Sequence, residues 1–462
     1  MLTWRVAALL VVLGGIGIAV SDRVGLRPWS AVLVAAGVVA LVTGLDWLVA
    51  APAGEVRLRR EGPTQVRLGD SVTVTLHVTN DSVRTMRAQV RDAWVPSAGA
   101  GEPYAHDLVL DPSQTAALPT VLTPIRRGDR PAARVTVRSY GPLGLAFRQT
   151  WRRAADRLTP PWTVRALPEF RSRRLLPEKL ARLRIIEGMV VTRGRGQGSE
   201  FDSLREYVTG DDPRGIDWRA SARREHLVSK QWRPERDRRV LCVIDTGRTS
   251  AGRIATTPPA GPDDPPVPYT DESEASGEPR LDLHIDAALL LASVAAHAGD
   301  KVDLLAIDTA THVNISANST RHLYRINNAL AMLSPALVET DFGRVVAEVL
   351  RAERKRALVV LFTTLDPGAL GEGLVPVLPS LVSRHTVFVA AVHDPALDAL
   401  AARHHSADAI HTAAAAQRGL AELNRVRGAL ARHGVSVVDE PAQTFASVVT
   451  DRYLALKAAG RL

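Results

Sequence analysis

Residues 198–223, GSEFDSLREYVTGDDPRGIDWRASAR, set six carboxylates and four arginines around five apolar anchors, Phe201, Leu204, Tyr207, Ile216 and Trp218. Three chemistries use such a pattern: acid–base work by carboxylates, anion binding by arginines, or a structural lattice of ion pairs. Catalysis fits poorly, because no nucleophile or histidine base accompanies the acids. Asp211 and Asp212 are neighbours on a turn and cannot flank a scissile sugar bond. Gly194, Gly196 and Gly198 precede the segment without the strand–loop–helix context or the lysine of a nucleotide loop, so a hinge is expected there. His404, His405 and His411 lack a matching carboxylate or thiol set for zinc and are assigned to a helix surface. Cys242, the single cysteine, lies in the apolar run VLCVI and reads as a small buried hydrophobe.

The lattice reading predicts definite elements. Asp202 is expected to cap a short helix bearing Leu204, Tyr207 and Val208 that Gly210 ends. Asp212-Pro213 then starts a second turn, and Ile216 and Trp218 point inward. Arg205, Arg214, Arg219 and Arg223 are left to pair with Glu200, Glu206, Asp211 and Asp217, as the planar guanidinium fork favours.

The 462 residues provide for several domains, 46% of them hydrophobic, with a net charge of +9. No basic stripe carries interleaved aromatics, so nucleic acid is not an expected partner. Two apolar runs, 6–20 and 29–50, open the chain, with Trp4, Trp29 and Trp47 near their ends. They predict transmembrane helices at about 4–20 and 29–50 within residues 1–51. Asp46 is expected to reach headgroups or water. Arg57, Arg59 and Arg60 after the second run predict a two-pass protein of the inner (plasma) membrane with residues 52–462 in the cytoplasm. Cleavage of the first run as a signal peptide would leave that placement unchanged.

Residues 52–158 alternate apolar and polar positions between turn residues and predict a small antiparallel β-sandwich. Residues 159–198 read as a basic, solvated linker. From Arg239 the pattern becomes apolar strands (239–245, 301–308, 357–363, 386–392, 434–439) alternating with amphipathic helices. This predicts an α/β domain with a mostly parallel central sheet. Ligands of such sheets bind at the carboxyl ends of the strands, where Asp245, Thr363, Thr364, Asp366, His393 and Asp394 fall. A disordered insertion is expected at 251–280, rich in Pro, Gly and acid.

The order Gly-x-Glu-Phe-x-x-Leu-Arg-x-Tyr, Gly-Asp and Ile-Asp-Trp within 196–223, followed by VLCVIDTGRTS and closed by DRYLALKAAGRL, resembles the bacterial domain of unknown function 58 family. The resemblance implies that 199–462 comprise the signature segment and a von Willebrand factor A-like domain. It also implies association with MoxR-type AAA+ ATPases in assembling or activating cell-envelope proteins. The implied fold often holds Mg²⁺ through an Asp-x-Ser-x-Ser loop with a Thr and an Asp from later loops. Here Asp245, Thr249 and Thr340 match, Gly247 replaces a hydroxyl, and Thr364 stands where the Asp is expected, with Asp366 two residues on. A degenerate Mg²⁺ site at Asp245, Thr249, Thr340 and Asp366 is therefore a candidate, weakened by Arg248 within the loop.

Two classes of function follow from these readings. The first is a membrane-tethered, non-enzymatic scaffold with a protein partner and no small-molecule substrate. The second is a metal-assisted hydrolase using the signature carboxylates. An extracytoplasmic, cation-dependent adhesin would need the opposite topology and an intact cation loop.

Overall fold

The computed structural model describes residues 1–24, 27–193, 200–208, 213–223, 226–233, 238–254, 277–317, 323–403 and 406–462. They form two units, Met1–Leu167 and Pro168–Leu462.

The first unit opens with helices α1 (Trp4–Val24) and α2 (Pro28–Val49), the latter started by proline at its first position. Of the two, Pro28–Val49 is long and apolar enough to cross a membrane, and the apolar part of the first is Trp4–Val20. Nine strands follow: β1 (Val56–Glu61), β2 (Gln65–Arg67), β3 (Val72–Asn80), β4 (Met86–Trp94), β5 (Ala105–Leu110), β6 (Thr115–Leu122), β7 (Gly128–Tyr140), β8 (Phe147–Gln149) and β9 (Thr163–Leu167). Helix α3 (Arg152–Leu158) separates the last two. One sheet has the order β1-β3-β6. The other has β2-β9-β7-β4-β5, with β8 also on β7. Alternate residues of both, among them Leu76, Val78, Met86, Val90 and Val137, share one core. Two sequence expectations change here. The β2–β9 pairing is parallel, and β9, placed by sequence in the linker, completes a sheet.

Arg60 also departs from its expected role as a membrane-flanking charge. It is buried in an ion pair with Asp92, and Trp94 Nε1 donates to the other Asp92 oxygen at 3.2 Å. Burial pushes the Asp92 carboxyl up, against the opposing pull of Arg60. The pair joins β1 of one sheet to β4 of the other.

Asp46 does not reach solvent. Its carboxylate accepts backbone N–H groups of Leu143 (2.8 Å), Leu145 (2.8 Å) and Ala146 (2.9 Å), in the turn joining β7 to β8. An acid in the last turn of a helix opposes the helix dipole, and these three donors offset that cost. Gly141 is required at this seat because a Cβ there would lie 2.3 Å from Asp46 Cγ. Arg84 donates to the carbonyls of Leu48 and Val49, and Arg148 donates to that of Trp47 while lying 4.4 Å over its ring. The same turn receives the start of α1: Leu2 bridges Ala146, and Thr3 Oγ1 donates to the Gly144 carbonyl. Both apolar helices are therefore bound to the strand module by polar contacts.

In the second unit, α4 (Leu176–Arg193) comes first. The residues expected to be a solvated linker are docked: buried Lys179 meets Asp451 at 2.9 Å, and Arg182 meets the same carboxylate at 3.0 Å. Strands β10 (Glu200–Glu206) and β11 (Val228–Arg233) form a hairpin-like pair with the short helix α5 (Trp218–Ser221) between them. The central sheet is built from β12 (Arg239–Asp245), β15 (Lys301–Ile307), β16 (Thr311–Ala317), β17 (Leu358–Phe362), β18 (Thr386–His393) and β19 (Ser436–Pro441). A two-residue ladder, β13 (Arg253–Ile254) with β14 (Glu278–Pro279), stands between the first two of these. The central order is β16-β15-β12-β17-β18-β19, all parallel except the edge strand β16.

Helices α6 (Arg280–His297), α7 (Leu323–Met332) and α12 (Ala442–Ala458) contribute to the core on one face. Helices α8 (Phe342–Ala352), α9 (Leu378–Val382) and α11 (Ala407–Arg432) contribute to the other, and α10 (Pro395–Ala401) lies before α11. The closing DRYLALKAAGRL is explained by this packing. Asp451 holds α4, while Tyr453 and Lys457 bind buried Asp300 at 2.6 and 2.8 Å. Of the residues expected in the disordered insertion, 251–254 and 277–280 belong to the ladder and its flanks, and residues 255–276 lie outside the described residues.

Removing the Asp46 carboxylate orphans three backbone donors. Asp46→Ala is expected to destabilise the first unit by about 3 kcal/mol or more. A thermal melt of the full chain in detergent checks this, with Asp81→Ala, at an exposed pair, as the near-neutral control.

Candidate functional site

The strand order reverses at β12, with β15 on one side and β17 on the other, so the crevice beyond their carboxyl ends is the topological switch point. Asp245, the last residue of β12, is buried there with both carboxylate oxygens occupied. Oδ1 accepts Gly247 N–H at 2.8 Å and Thr340 Oγ1–H at 2.5 Å. Oδ2 accepts Thr363 Oγ1–H at 2.6 Å and Thr249 Oγ1–H at 3.3 Å. One carboxylate thus ties together the loop after β12, the loop before α8 and the loop after β17.

The candidate Mg²⁺ ligands come together only in part. Asp245 and the hydroxyls of Thr249 and Thr340 meet, but they bind one another. Asp366 is engaged in capping, its Oδ1 accepting Ala369 N–H at 2.8 Å. A side chain at 247 is excluded, since its Cβ would lie 2.1 Å from Thr340 Oγ1. Arg248 turns outward to Glu339. Among the described residues no group of three His, Cys, Asp or Glu side chains is disposed to hold a metal. The donor set that meets here, one carboxylate already accepting four hydrogen bonds and two neutral hydroxyls, offers too little free anionic oxygen to fit a hard divalent ion.

A cation is nevertheless present. Arg280, the first residue of α6, donates through Nη1 to the Thr249 carbonyl at 2.8 Å and to Thr364 Oγ1 at 3.0 Å. Burial pulls its guanidinium down, while Asp394, Asp366, Asp439 and Asp245, in that order, push it back up. One turn further along α6, His284 is enclosed by Phe362 and Phe445. Burial first, then Arg280, push its imidazole down to about 3, so it is neutral.

At the far side of the same edge, His393 sits between two carboxylates. Nε2 meets Asp398 at 2.5 Å, and Nδ1 meets Asp439 at 3.4 Å, which Arg427 also binds at 2.5 Å. Burial lowers the imidazolium, but Asp398 and Asp439 together outweigh it and hold it above the ordinary histidine range.

The signature segment differs from its expected form. Residues 200–206 are a strand, and Asp202 is the extra residue of a bulge between Phe201 and Ser203 rather than a helix cap. The alternating acids suggested capping, but pairing with β11 decides the conformation. Trp218 does not point inward: it is 69% exposed, because the one-turn helix α5 turns it to solvent. Ile216 is half-buried and bridges Ser229. Asp217 accepts Ala220 N–H at 3.0 Å and pairs with Lys230 at 3.4 Å, where an arginine partner was expected. Leu204 and Tyr207 are half-buried, and Arg205, Glu206, Arg214, Arg219 and Arg223 are exposed. Gly210 and Asp211 lie outside the described residues, as do His404 and His405. Glu200 and Phe201 are described by backbone alone.

Residues 203–257 and 272–407 match the model of the protein family of unknown function DUF58. Over these residues the chain is similar to that family. Uncharacterized proteins of Mycobacterium tuberculosis and Mycobacterium bovis are each 25% identical over 208 residues, 43% of this chain and 56% of theirs. The chain thus spans little more than half the length of the curated relatives it matches. Among solved structures, the SpRpn10 VWA domain aligns with 46% of this chain and 94% of its own, at 10% identity and a TM-score of 0.26. A Salmonella alpha-2-macroglobulin mutant aligns with 24% of this chain and 7% of its own, at 14% identity and a TM-score of 0.19. The DUF58 match begins within β10 and covers the strand-end edge from Asp245 to His393, so the resemblance read from 196–223 is borne out.

Sequence reasoning placed Asp245, Thr363, Thr364, Asp366 and His393 at this edge but missed Arg280, Asp398 and Asp439. The signal for Arg280 was present: an arginine opening a helix opposes the dipole, so tertiary acids were required to hold it there.

The His393 cluster predicts a sign. A raised folded pKa stabilises fully below the unfolded value of about 6.5, and the contribution is lost as pH rises through the folded value. Thermal melts from acid to alkaline pH should show a stability step of that direction that His393→Gln removes.

Proposed function

We propose that the protein is a membrane-tethered, non-enzymatic scaffold whose DUF58 region binds a protein partner. The resemblance makes the proposed partner a MoxR-type AAA+ ATPase acting on cell-envelope proteins. In this reading α1 and α2 form a two-pass hairpin, the two sheets of the first unit act as a sandwich-like spacer, and the bulk of the chain is cytoplasmic. Support for the anchor comes from the length and apolarity of α2 and its polar seat at Asp46. One observation carries the binding role: large apolar side chains are displayed on the unit that holds the DUF58 region. Leu337 is 81% exposed in the loop that binds Asp245, and Trp218 stands exposed beside arginines. Exposed aromatic and aliphatic anchors beside charge are what a protein interface uses. The edge carboxylates, meanwhile, are spent on threonine hydroxyls, caps and ion pairs, which argues against an acid–base role.

Cross-linking in membranes followed by purification and partner identification tests the proposal. The native chain should capture an AAA+ ATPase. Trp218→Ala and Leu337→Asp should reduce capture without lowering Tm, since neither side chain is buried. Undiminished capture by both variants would remove the proposed surface, and hydrolytic turnover by the purified chain would overturn the non-enzymatic reading.

Topology is tested separately with Ala415→Cys on the exposed face of α11, Cys242 being buried. An impermeant thiol reagent should label this variant only after cells are opened. Labelling in intact cells would reverse the orientation.

A further inference from the structure

We propose that Arg280 is the built-in cation of the strand-end edge, occupying the role a divalent ion has in the resembled fold and making the edge independent of divalent cations. The inference does not rest on the identity of the partner. Three observations lead to it. The Arg280 Nη1 group joins the Thr249 carbonyl of the first loop to the Thr364 hydroxyl of the third, where in the resembled fold oxygens of these loops would hold a divalent ion. Thr364 is the position where the resemblance expects a carboxylate, and a hydroxyl there suits a guanidinium donor.

The second observation is the closure of the first loop on itself. Asp245 is saturated by four protein donors, and the absence of a side chain at Gly247 is what lets Thr340 approach to 2.5 Å. A metal would have to displace some of these hydrogen bonds before it could use the Asp245 carboxylate, the one charged oxygen donor among the residues that meet here.

Third is the balance of charge. Asp245, Asp366, Asp394 and Asp439 all act favourably on Arg280. Its Nε is buried with no hydrogen-bond partner among the described residues, so the two Nη1 hydrogen bonds and the attraction of these acids together offset its burial. A guanidinium cannot be discharged near neutral pH, whereas a bound ion exchanges with solvent. The edge therefore keeps its positive centre at any metal concentration.

The full chain in detergent provides the test, with Mn²⁺ as probe, read by thermal melting and by the electron paramagnetic resonance signal of free Mn²⁺. The native chain should melt at the same temperature in millimolar Mn²⁺ and in EDTA, and should leave the Mn²⁺ signal unchanged. Arg280→Ala should melt several degrees lower and recover part of that loss in Mn²⁺, because the ion can then neutralise the vacated acids. Arg280→Lys, which keeps the charge, should remain indifferent to Mn²⁺. If Arg280→Ala does not fold, Arg280→Gln is read in the same way. Stoichiometric Mn²⁺ binding by the native chain that Asp245→Asn abolishes would overturn the proposal. So would an Arg280→Ala variant with native Tm and no response to Mn²⁺.

Discussion

The carboxylate of Asp245 is the constraint on which the rest of the site depends. It ends the central strand, lies buried at the point where the sheet order reverses, and must be satisfied by hydrogen bonds or a cation. Four donors from three loops satisfy it, so the shape of the edge is set by one residue's solvation requirement. A side chain at 247 would keep Thr340 from closing in, and Leu337 stands exposed in the loop that Thr340 anchors. Arg280 then supplies, from the first turn of α6, the positive charge that the surrounding acids demand.

The same logic of an acid held by the chain recurs in the first unit. Asp46 is the last polar residue of an apolar helix and is bound to the β7–β8 turn, while Arg84 and Arg148 take the helix's final carbonyls. The apolar helices are therefore attached by directional bonds and not by a flexible tether. In the second unit, Asp300 and Asp451 do comparable work: Asp300, beside β15, holds α12 through Tyr453 and Lys457, and Asp451 of α12 holds α4 through Lys179. Each of these acids fixes a join between elements.

The central sheet was largely legible. Runs such as VLCVI and ALVVLF are too apolar for any element exposed on one face, and their alternation with helices specifies a parallel, doubly covered sheet. The edge residues followed from strand ends. What stayed hidden were pairings between residues distant in sequence. Arg60 reads as a flanking charge until Asp92 is seen opposite it, and Lys179 reads as linker until Asp451 is in place. Strand β16 was missed because an edge strand with polar alternation looks like a loop. Residues 200–206 looked helical because their acids and Leu204 suit a capped turn; pairing with β11 overrides that local preference. Trp218 was assigned to the core on residue type alone, which is a one-way rule.

The strand-end edge, locked without a metal, is proposed as the surface for a protein partner. Amide hydrogen exchange on the full chain in lipid nanodiscs, with and without the captured ATPase and repeated in EDTA, tests it most directly. Protection should concentrate in 246–251 and 333–341 and should be unchanged by EDTA. Protection confined to the first unit, or protection at the edge that EDTA abolishes, would contradict it.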